Sequence, residues 1–152
     1  MLQFSDVNEN ERVLDLYAGV GNFTLPLATQ AKEIIGIEEN RTAVDDARFN
    51  AERNRIRNCD FIQGRVEDVL KDWKRANPDL ILLDPPRMGC RMALDQMVKL
   101  RPKKIVYISC EPTTFSRDLR LFSEKGYSLK NLLLIDMFPQ SYHMEVVGLL
   151  TH

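Results

Sequence analysis

The chain alternates between short apolar runs and longer stretches in which apolar residues recur every three or four positions. The apolar runs predict strands at residues 12–17, 33–38, 59–63, 79–84, 104–109, 129–136 and 144–151. The helical periodicity predicts helices at residues 22–31, 40–55, 65–76, 90–100 and 113–125. Several of the strands are apolar along their whole length, which is typical of strands covered by helices on both faces of a parallel sheet.

The end of the chain departs from this alternation, because only "MFPQSYH" separates the last two predicted strands. Such a short link joins antiparallel neighbours. The strict alternation of strands and helices before it implies a doubly wound sheet. The expected fold is therefore α/β, with a doubly wound, mostly parallel seven-stranded sheet that ends in an antiparallel hairpin. No repeat or linker interrupts the pattern, so residues 1–152 are expected to form a single domain.

Composition narrows the class of protein. The formal net charge of −1 argues against a general polyanion binder, although a local basic face remains open. No run approaches about 18 apolar residues, so no membrane span is expected, and the polar, acidic N-terminus does not resemble a secretory leader. Three widely spaced cysteines and two histidines form no metal-ligand pattern. We therefore expect a cytoplasmic protein without a disulfide framework or a metal site.

The first strand runs into a glycine loop, "DLYAGVGNFTLPLA". Gly19 and Gly21 permit a tight turn and a close approach to a ligand, and Asn22 is expected to cap the next helix. Glycine turns of this kind also occur without any ligand. A dinucleotide fingerprint would carry a third glycine where Thr24 stands, and Asp15 would repel a pyrophosphate but attract a sulfonium and an ammonium. The loop therefore favours S-adenosyl-L-methionine over NAD.

Acidic residues follow the second and third strands. Glu38 ends the second strand and is placed to hold both ribose hydroxyls, whereas Glu39 reads better as a solvated charge at a helix start. Glu67 and Asp68, after the third strand, fit two interpretations equally well. They lie either near the adenine or simply in the first turn of a helix.

Two further residues stand where strands end. Asp84 leaves the fourth strand and is followed by Pro85 and Pro86, whose rigid turn would present its carboxylate to a substrate; a simple turn aspartate is the alternative. Cys110 follows the fifth strand and precedes a helix that Pro112 opens. The positive end of that helix favours a thiolate, whereas an average free cysteine is a small buried hydrophobe.

A thiolate is useful to a methyltransferase when the acceptor atom is a poor nucleophile, such as C5 of a pyrimidine. The thiolate adds to C6, C5 takes the methyl group, and a base removes the C5 proton. Glu145, beside His143 at the start of the last strand, is the candidate base, with a surface charge as the alternative. Cys59 is expected to be structural, and Cys90 is expected to open a helix.

Four blocks, "DLYAGVGNFTLPLA", "LLDPPRMGC", "YISCEPTTFSRDL" and "MFPQSYHMEVV", together resemble the catalytic domain of the RNA 5-methyluridine (uracil-C5) methyltransferases. The resemblance runs from about residue 12 to the C-terminus. It implies a Rossmann-like class I methyltransferase that uses S-adenosyl-L-methionine and an RNA substrate, with rRNA favoured over tRNA. Some members of the family hold an iron–sulfur cluster through four cysteines, a pattern that the residues of this chain do not show, so no metal is expected here; a monomer is assumed.

The resemblance also implies roles for individual residues. Cys110 would be the nucleophile, Glu145 the general base, and Asp84 a contact to the cofactor or the uracil. The residues expected to bind the cofactor are Asp15, Tyr17, Gly19, Gly21, Asn22, Glu38, Arg65 and Asp84. Arg65 stands where relatives often have Asn or Asp, and Glu111 replaces the Asn of the usual S-C-N-P block.

The N-terminal RNA-binding domain that is usual in the family has no counterpart in this sequence. Arg87, Arg91 and Arg117, near the expected site, are candidates for phosphate contacts. Two alternatives stay open at this point. Besides an active uracil-C5 methyltransferase, these are a cofactor-binding fragment without independent turnover and an N-methyltransferase that uses the D-P-P turn.

Overall fold

The computed structural model describes residues 5–136 and 144–152. Its strands are β1 (Arg12–Leu16), β2 (Glu33–Glu38), β3 (Cys59–Gln63), β4 (Leu80–Leu83), β5 (Lys104–Ser109), β6 (Ser128–Ile135) and β7 (Glu145–Thr151). Its helices within those ranges are α1 (Thr24–Ala28), α2 (Arg41–Arg53), α3 (Val66–Lys71), α4 (Leu94–Lys99) and α5 (Pro112–Glu124). Each predicted strand is confirmed to within one residue at either end.

The strands form one seven-stranded sheet in the order β3-β2-β1-β4-β5-β7-β6. The first five strands pair in parallel, and β7 runs antiparallel to both β5 and β6. The predicted doubly wound sheet with an antiparallel hairpin at its end is therefore confirmed. The strand order reverses its direction between β1 and β4, and ligands of such sheets bind beyond the carboxyl ends of the strands at this switch point.

Both faces of the central strands β1, β4 and β5 are buried, which explains their uninterrupted apolar sequences, whereas the edge strand β6 is exposed along nearly its whole length. Because successive side chains point to opposite faces, β1 sends Leu14 and Leu16 into one apolar cluster and Val13 into the other. The first cluster includes residues of α3, α4 and α5, and the second includes residues of α1. The site is consequently expected at the strand ends, where the sheet emerges from between its two layers.

Four helices are shorter than the sequence predicted: α1, α2, α3 and α4. Gly21 has a φ of +87° and Gly89 a φ of +80°, and each lies immediately before the predicted start of its helix. Helix α1 nevertheless begins only at Thr24 and α4 only at Leu94, because residues 22–23 and 91–93 form turns first. The prediction that Cys90 opens a helix is wrong, because α4 begins four residues later; the N–H of Cys90 donates to the carboxylate of Asp118 at 2.9 Å.

None of the helices in the described ranges combines the length and the apolarity needed to cross a membrane.

Candidate active site

The candidate nucleophile and the candidate base lie on neighbouring strands that run in opposite directions. The ladder between β5 and β7 ends with Ser109 opposite Val146. Continuing this register by one residue sets Cys110 opposite Glu145. Directly opposed residues of antiparallel strands have Cβ atoms about 5 Å apart. The pairing of the strands thus brings together two residues that the sequence had linked only through their proposed chemistry.

Cys110 occupies the hinge between a buried strand and a helix. Ser109 is buried, and its hydroxyl oxygen accepts a hydrogen bond from the N–H of Glu111 at 3.1 Å. Glu111 is the N-cap of α5 and accepts from the N–H of Thr113 at 3.4 Å, and Pro112 is the first helical residue as predicted. Of the three cysteines, only Cys110 is exposed. Its thiol is therefore presented at the carboxyl edge of the sheet, beside a helix N-terminus.

Asp84 follows β4, the strand next to β5, and thus lies on the same edge. Burial of its carboxylate and the nearby charge of Glu145 raise the pKa of Asp84 to about 6. A carboxylate whose pKa is raised in this way is the kind of group that supports acid–base chemistry. The strand order and the register therefore place Asp84, Cys110 and Glu145 at the same edge of the sheet.

A cavity of about 510 Å³ opens beside this group. Its walls combine carboxylates with apolar side chains: Tyr17, Glu38, Glu39, Arg65, Val66, Glu67, Asp84, Pro86, Met88, Gly89 and Met92. The volume lies within the range of small-molecule sites, which is about 300–1,000 Å³. Four of the predicted cofactor residues, Tyr17, Glu38, Arg65 and Asp84, line it. Asp84 is the residue that joins the cavity to the pair formed by Cys110 and Glu145.

Glu38 holds the glycine loop in place. One of its carboxylate oxygens accepts from the N–H of Gly19 at 2.9 Å, and the other accepts from the N–H of Asn40 at 2.8 Å. Gly19 has a φ of +55°, and a Cβ at that position would meet nothing within 4 Å. The loop backbone therefore faces open space and leaves room for a ligand to approach closely.

Tyr17 links the loop to the cavity wall in a conformation that is unusual for a large side chain. Its φ is 65°, in the left-handed region that non-glycine residues rarely adopt. Such backbone positions cluster at ligand sites. Burial, followed by the neighbouring acidic groups, raises the pKa of the Tyr17 phenol, so its hydroxyl keeps its proton and is available as a donor.

Asp15 lies underneath the glycine loop instead of in the cavity wall. Its exposure is 1 %, and one oxygen, Oδ2, accepts from the hydroxyl of Thr24 at 2.5 Å. The other oxygen, Oδ1, is buried and has no hydrogen-bond partner within the described residues. Burial raises the pKa of Asp15 to about 7, the Thr24 hydroxyl opposes this, and the charges of Asp84 and Glu38 add to it. Asp15 therefore interacts electrostatically with the carboxylates of the cavity wall, although its own oxygens are buried and do not line the cavity.

Gly21 and Asn22 are placed away from this cavity. They line a separate hollow of about 390 Å³ together with Asn50 and Asn54. The prediction that Asn22 caps α1 is wrong, because the helix begins two residues later and its N-cap, Phe23, makes no side-chain cap hydrogen bond.

Arg65 is the N-cap of α3 and pairs with Glu67, so its guanidinium is partly neutralised at the cavity rim. The interpretation of Glu67 as a residue of the site is favoured by this position, although it also stands in the first turn of the helix. His143, expected beside Glu145, lies outside the described residues. Within residues 5–136 and 144–152, no three His, Cys, Asp or Glu side chains are grouped so as to hold a metal ion.

A further cavity, of about 410 Å³, includes Arg48, Arg55 and Cys59 in its wall. Cys59 begins β3, and the cavity contains none of the candidate residues at the carboxyl ends of the strands. Its location is consistent with the expectation that Cys59 is structural.

Sequence reasoning missed the role of Asp118. This residue is fully buried on α5, where Phe115, Asp118 and Phe122 are the buried positions. An acidic residue at helical spacing between two core phenylalanines was the available signal. Arg117, a candidate for phosphate contacts, instead directs Nε and Nη2 to Asp118 Oδ1, at 2.9 and 2.7 Å.

The strand order, the glycine loop after β1 and the acidic residue that ends β2 define the class I methyltransferase fold. A model of the tRNA (Uracil-5-)-methyltransferase family matches residues 2–152. The chain belongs to this family.

Individual relatives agree with this assignment. The chain is 41% identical, over 99% of its length, to an uncharacterized RNA methyltransferase of Oceanobacillus iheyensis, of which it covers 33%. It is 42% identical, over 97% of its length, to the 23S rRNA (uracil(1939)-C(5))-methyltransferase RlmD of Aliivibrio fischeri, of which it covers 34%. The chain thus spans about a third of the length of these curated relatives.

A solved structure supports the same family assignment. The tRNA (uracil-54, C5)-methyltransferase of Pyrococcus abyssi, crystallised with S-adenosyl-L-homocysteine, superposes with a TM-score of 0.82 at 31% identity. The match covers 98% of this chain and 36% of that one. The NSun6 protein of Pyrococcus horikoshii, at 17% identity and a TM-score of 0.81, shares the fold.

Proposed function

We propose that this chain transfers a methyl group from S-adenosyl-L-methionine to C5 of a uridine in RNA, through a transient bond between Cys110 and C6 of the uracil. The observation that supports the proposal best is the register of β5 and β7, whose continuation by one residue would pair Cys110 with Glu145, with Asp84 following the adjacent strand β4. Family membership and the acidic cavity support it.

The cofactor would occupy the cavity beside Glu38, Tyr17 and Asp84. When bound, S-adenosyl-L-methionine supplies an electrophilic methyl group on a positively charged sulfur. Glu38 keeps the glycine loop folded so that the backbone around Gly19 meets the ligand closely. Asp84 and Glu38 supply negative charge that favours a cation over a neutral molecule.

Cys110 acts on the substrate as a nucleophile. Its Sγ forms a bond to C6 while the electron pair of the C5–C6 double bond moves to the O4 carbonyl, which gives an enolate with a nucleophilic C5. C5 then takes the methyl group. Glu145 accepts the proton from C5, the double bond re-forms as the bond between Sγ and C6 breaks, and the thiolate is restored. The proton on Glu145 returns to solvent.

We propose rRNA in preference to tRNA as the substrate. The rRNA enzyme RlmD of Aliivibrio fischeri is 42% identical to this chain. The tRNA enzyme of Pyrococcus abyssi is 31% identical. Competition between 23S rRNA and total tRNA for methyl transfer by the protein tests this preference, and equal or faster methylation of tRNA would reverse it.

The test of the mechanism is an RNA that carries 5-fluorouridine at the target position. Fluorine at C5 cannot leave as a proton, so the wild-type protein with S-adenosyl-L-methionine should accumulate a covalent adduct that survives a denaturing gel. Cys110→Ala should form none, whereas Cys59→Ala, the matched cysteine change at the other end of the sheet, should form it normally. An adduct of equal yield with Cys110→Ala would refute the role of Cys110.

A second candidate is a cofactor-binding module without turnover of its own. It is favoured by the one-third share of the relatives that the chain covers. Calorimetric titration with S-adenosyl-L-homocysteine followed by a methyl-transfer assay separates the two, because this candidate predicts binding without transfer. Full activity of Cys110→Ser would instead support an N-methyltransferase that uses the D-P-P turn.

A further inference from the structure

Asp118 is a fully buried carboxylate that none of the steps above uses. Its Oδ2 accepts from the N–H of Cys90 and from the hydroxyl of Tyr107, both at 2.9 Å, and from the thiol of Cys90 at 3.5 Å. Its Oδ1 accepts two hydrogen bonds from the guanidinium of Arg117. Both oxygens are therefore occupied by donors from three different parts of the chain.

The same cluster holds the backbone of the loop that follows β4. Arg117 Nη2 donates to the carbonyl of Met88 at 2.8 Å, while Asp118 receives the N–H of Cys90. Between them, Gly89 passes so close that a Cβ at this position would overlap Asp118 Oδ2 and crowd Arg117 and Thr114. The segment Met88–Cys90 is consequently fixed to α5 at both of its ends and has no room to shift towards the helix.

The two pieces that Asp118 joins carry different parts of the site. Met88 and Gly89 line the cavity, and their loop begins at Asp84. Helix α5 begins two residues after Cys110. Cys90 and Asp118 are 28 residues apart in sequence, so no local geometry links these pieces. The hydrogen bonds of Asp118 therefore help to set where the cavity wall stands relative to the thiol.

We propose that Asp118 is a positioning residue for the methyl transfer described above. It fixes the wall Met88–Cys90 to α5 and so determines the relative placement of the cofactor cavity and Cys110. The inference rests on the proposed function, because only that function requires the cavity and the thiol to act on one uracil. Misplacement of reacting groups by about 1 Å costs about a hundredfold in rate, whereas a purely structural carboxylate would affect stability alone.

The principal variant is Asp118→Asn in the whole protein, which keeps the shape of the side chain but sets an N–H₂ group against hydrogen-bond donors. Asp95→Asn is the matched control, because Asp95 is an exposed carboxylate that pairs with Lys125 at 2.8 Å. Gly89→Ala disturbs the same contact from the loop side. Each variant is characterised by thermal unfolding, by calorimetric binding of S-adenosyl-L-homocysteine and by the rate of adduct formation on 5-fluorouridine RNA.

For folded Asp118→Asn and Gly89→Ala, we expect the adduct rate at saturating RNA and cofactor to fall at least about tenfold. The dissociation constant for S-adenosyl-L-homocysteine should rise about threefold or more, and Asp95→Asn should match wild type in both. Wild-type adduct rates and affinity in folded Asp118→Asn would overturn the inference. If Asp118→Asn does not fold, Tyr107→Phe takes its place, because it removes one donor to Oδ2. A slower adduct rate in Tyr107→Phe would support the inference, and an unchanged rate would overturn it.

The outcome is separable from failure of the proposed function. If the wild-type protein forms no adduct, or if Cys110→Ala forms one, the proposed chemistry fails, and the cofactor affinities of Asp118→Asn and Gly89→Ala still report whether Asp118 fixes the cavity wall. If the wild-type adduct forms and depends on Cys110 while these variants behave as wild type, only the role of Asp118 fails.

Discussion

At the amino ends of the strands, carboxylates meet cations, whereas four carboxylates at the carboxyl ends, those of Asp15, Glu38, Asp84 and Glu145, meet neutral donors or one another. Asp79 accepts from the N–H of Arg12 at 3.0 Å and from Lys103 at 2.9 Å, and Glu11 pairs with Lys104 at 3.1 Å. Burial pushes the pKa of Asp79 upward, but the hydrogen bonds from Arg12 and Lys103 outweigh it and hold that pKa below its usual value. The charges at this end are satisfied within the fold.

The other end of the same sheet is different. Asp15, Glu38, Asp84 and Glu145 make no ion pair within the part of the chain that the structure describes, and the hydrogen bonds of Asp15 and Glu38 come from a hydroxyl and from backbone N–H groups. The pKa values of Asp15 and Asp84 are raised to about 7 and about 6. The amino end therefore stabilises the fold, whereas the carboxyl end gathers carboxylates without ion-pair partners, whose negative charge a cationic ligand would neutralise.

The largest expected effect is on chemistry at the carboxyl end. Glu145→Gln removes the acceptor for the C5 proton, so turnover should fall by about 10²–10⁴-fold. A covalent complex with ordinary uridine RNA should accumulate, since the step that releases Cys110 is blocked. Methyl transfer from labelled cofactor and a denaturing gel measure the two effects.

The matched control for Glu145→Gln is Glu33→Gln at the amino end, where Glu33 pairs with Arg12 at 2.5 Å. It should leave turnover at the wild-type value. If Glu145→Gln retained wild-type turnover, Glu145 would not be the general base, and the two ends of the sheet would not differ in this respect.

The next largest expected effect is on the free energy of unfolding, which the buried carboxylate of Asp15 lowers. The folded-state pKa is about 7 against 3.8 unfolded, so the folded state binds more protons between these values, and its stability falls as pH rises from about 4 to about 7. Asp15→Asn should therefore be more stable than wild type by roughly 2–4 kcal/mol at about pH 8. The advantage should shrink towards pH 4.

Chemical denaturation across this pH range measures the free energy of unfolding of both proteins. If the difference in the free energy of unfolding between the two proteins did not change with pH, the pKa of Asp15 would not be raised in the folded state.

A smaller effect is expected at the amino end. Asp79→Ala leaves the N–H of Arg12 without its acceptor and should cost about 1–3 kcal/mol of unfolding free energy near neutral pH. Since the pKa of Asp79 is lowered in the folded state, this contribution is present above its unfolded pKa and is lost as pH falls through the folded one. Denaturation at about pH 7 and at lower pH measures it. Loss of cofactor affinity in the folded variant would contradict the separation of the two ends.

The smallest effect is a change in one pKa. In Glu145→Gln the pKa of Asp84 should fall from about 6, because one of its two causes is removed, yet it should stay above 3.8 because burial is the larger cause. Carbon-detected NMR titration of the Asp84 carboxyl measures this. An unchanged pKa would mean that Glu145 and Asp84 do not sense each other.

The strands could be predicted because burial on both faces makes them apolar throughout, as in β4, where every residue is 0% exposed. The starts of α1 and α4 could not, since residues 22–23 and 91–93 form turns although they continue the helical spacing of the residues that follow them. Local pattern therefore determined which elements form, and backbone conformation determined where two of the helices begin.

The residues of the candidate site also fall into two groups, those that a local pattern predicts and those that depend on contacts distant in sequence. Cys110 and Asp84 were found because each ends an apolar strand, which is a local property. Their relation to Glu145 depends on the register between β5 and β7, and the burial of Asp15 depends on the packing of α1. Asp118 requires a contact across 28 residues, which no motif in the sequence encodes.

Asp84 belongs both to the wall of the cavity and to the surroundings of Glu145. A cation bound in that cavity would lower the pKa of Asp84 from about 6. Binding of the cation near that pH would therefore release protons to the solvent. By reciprocity, the affinity for the cation would grow as the solution became more alkaline through the same interval. A sulfonium loses its positive charge when its methyl group departs. Asp84 would therefore attract the demethylated product less strongly than it attracts the methyl donor, so the loss of charge during the reaction would itself favour product release.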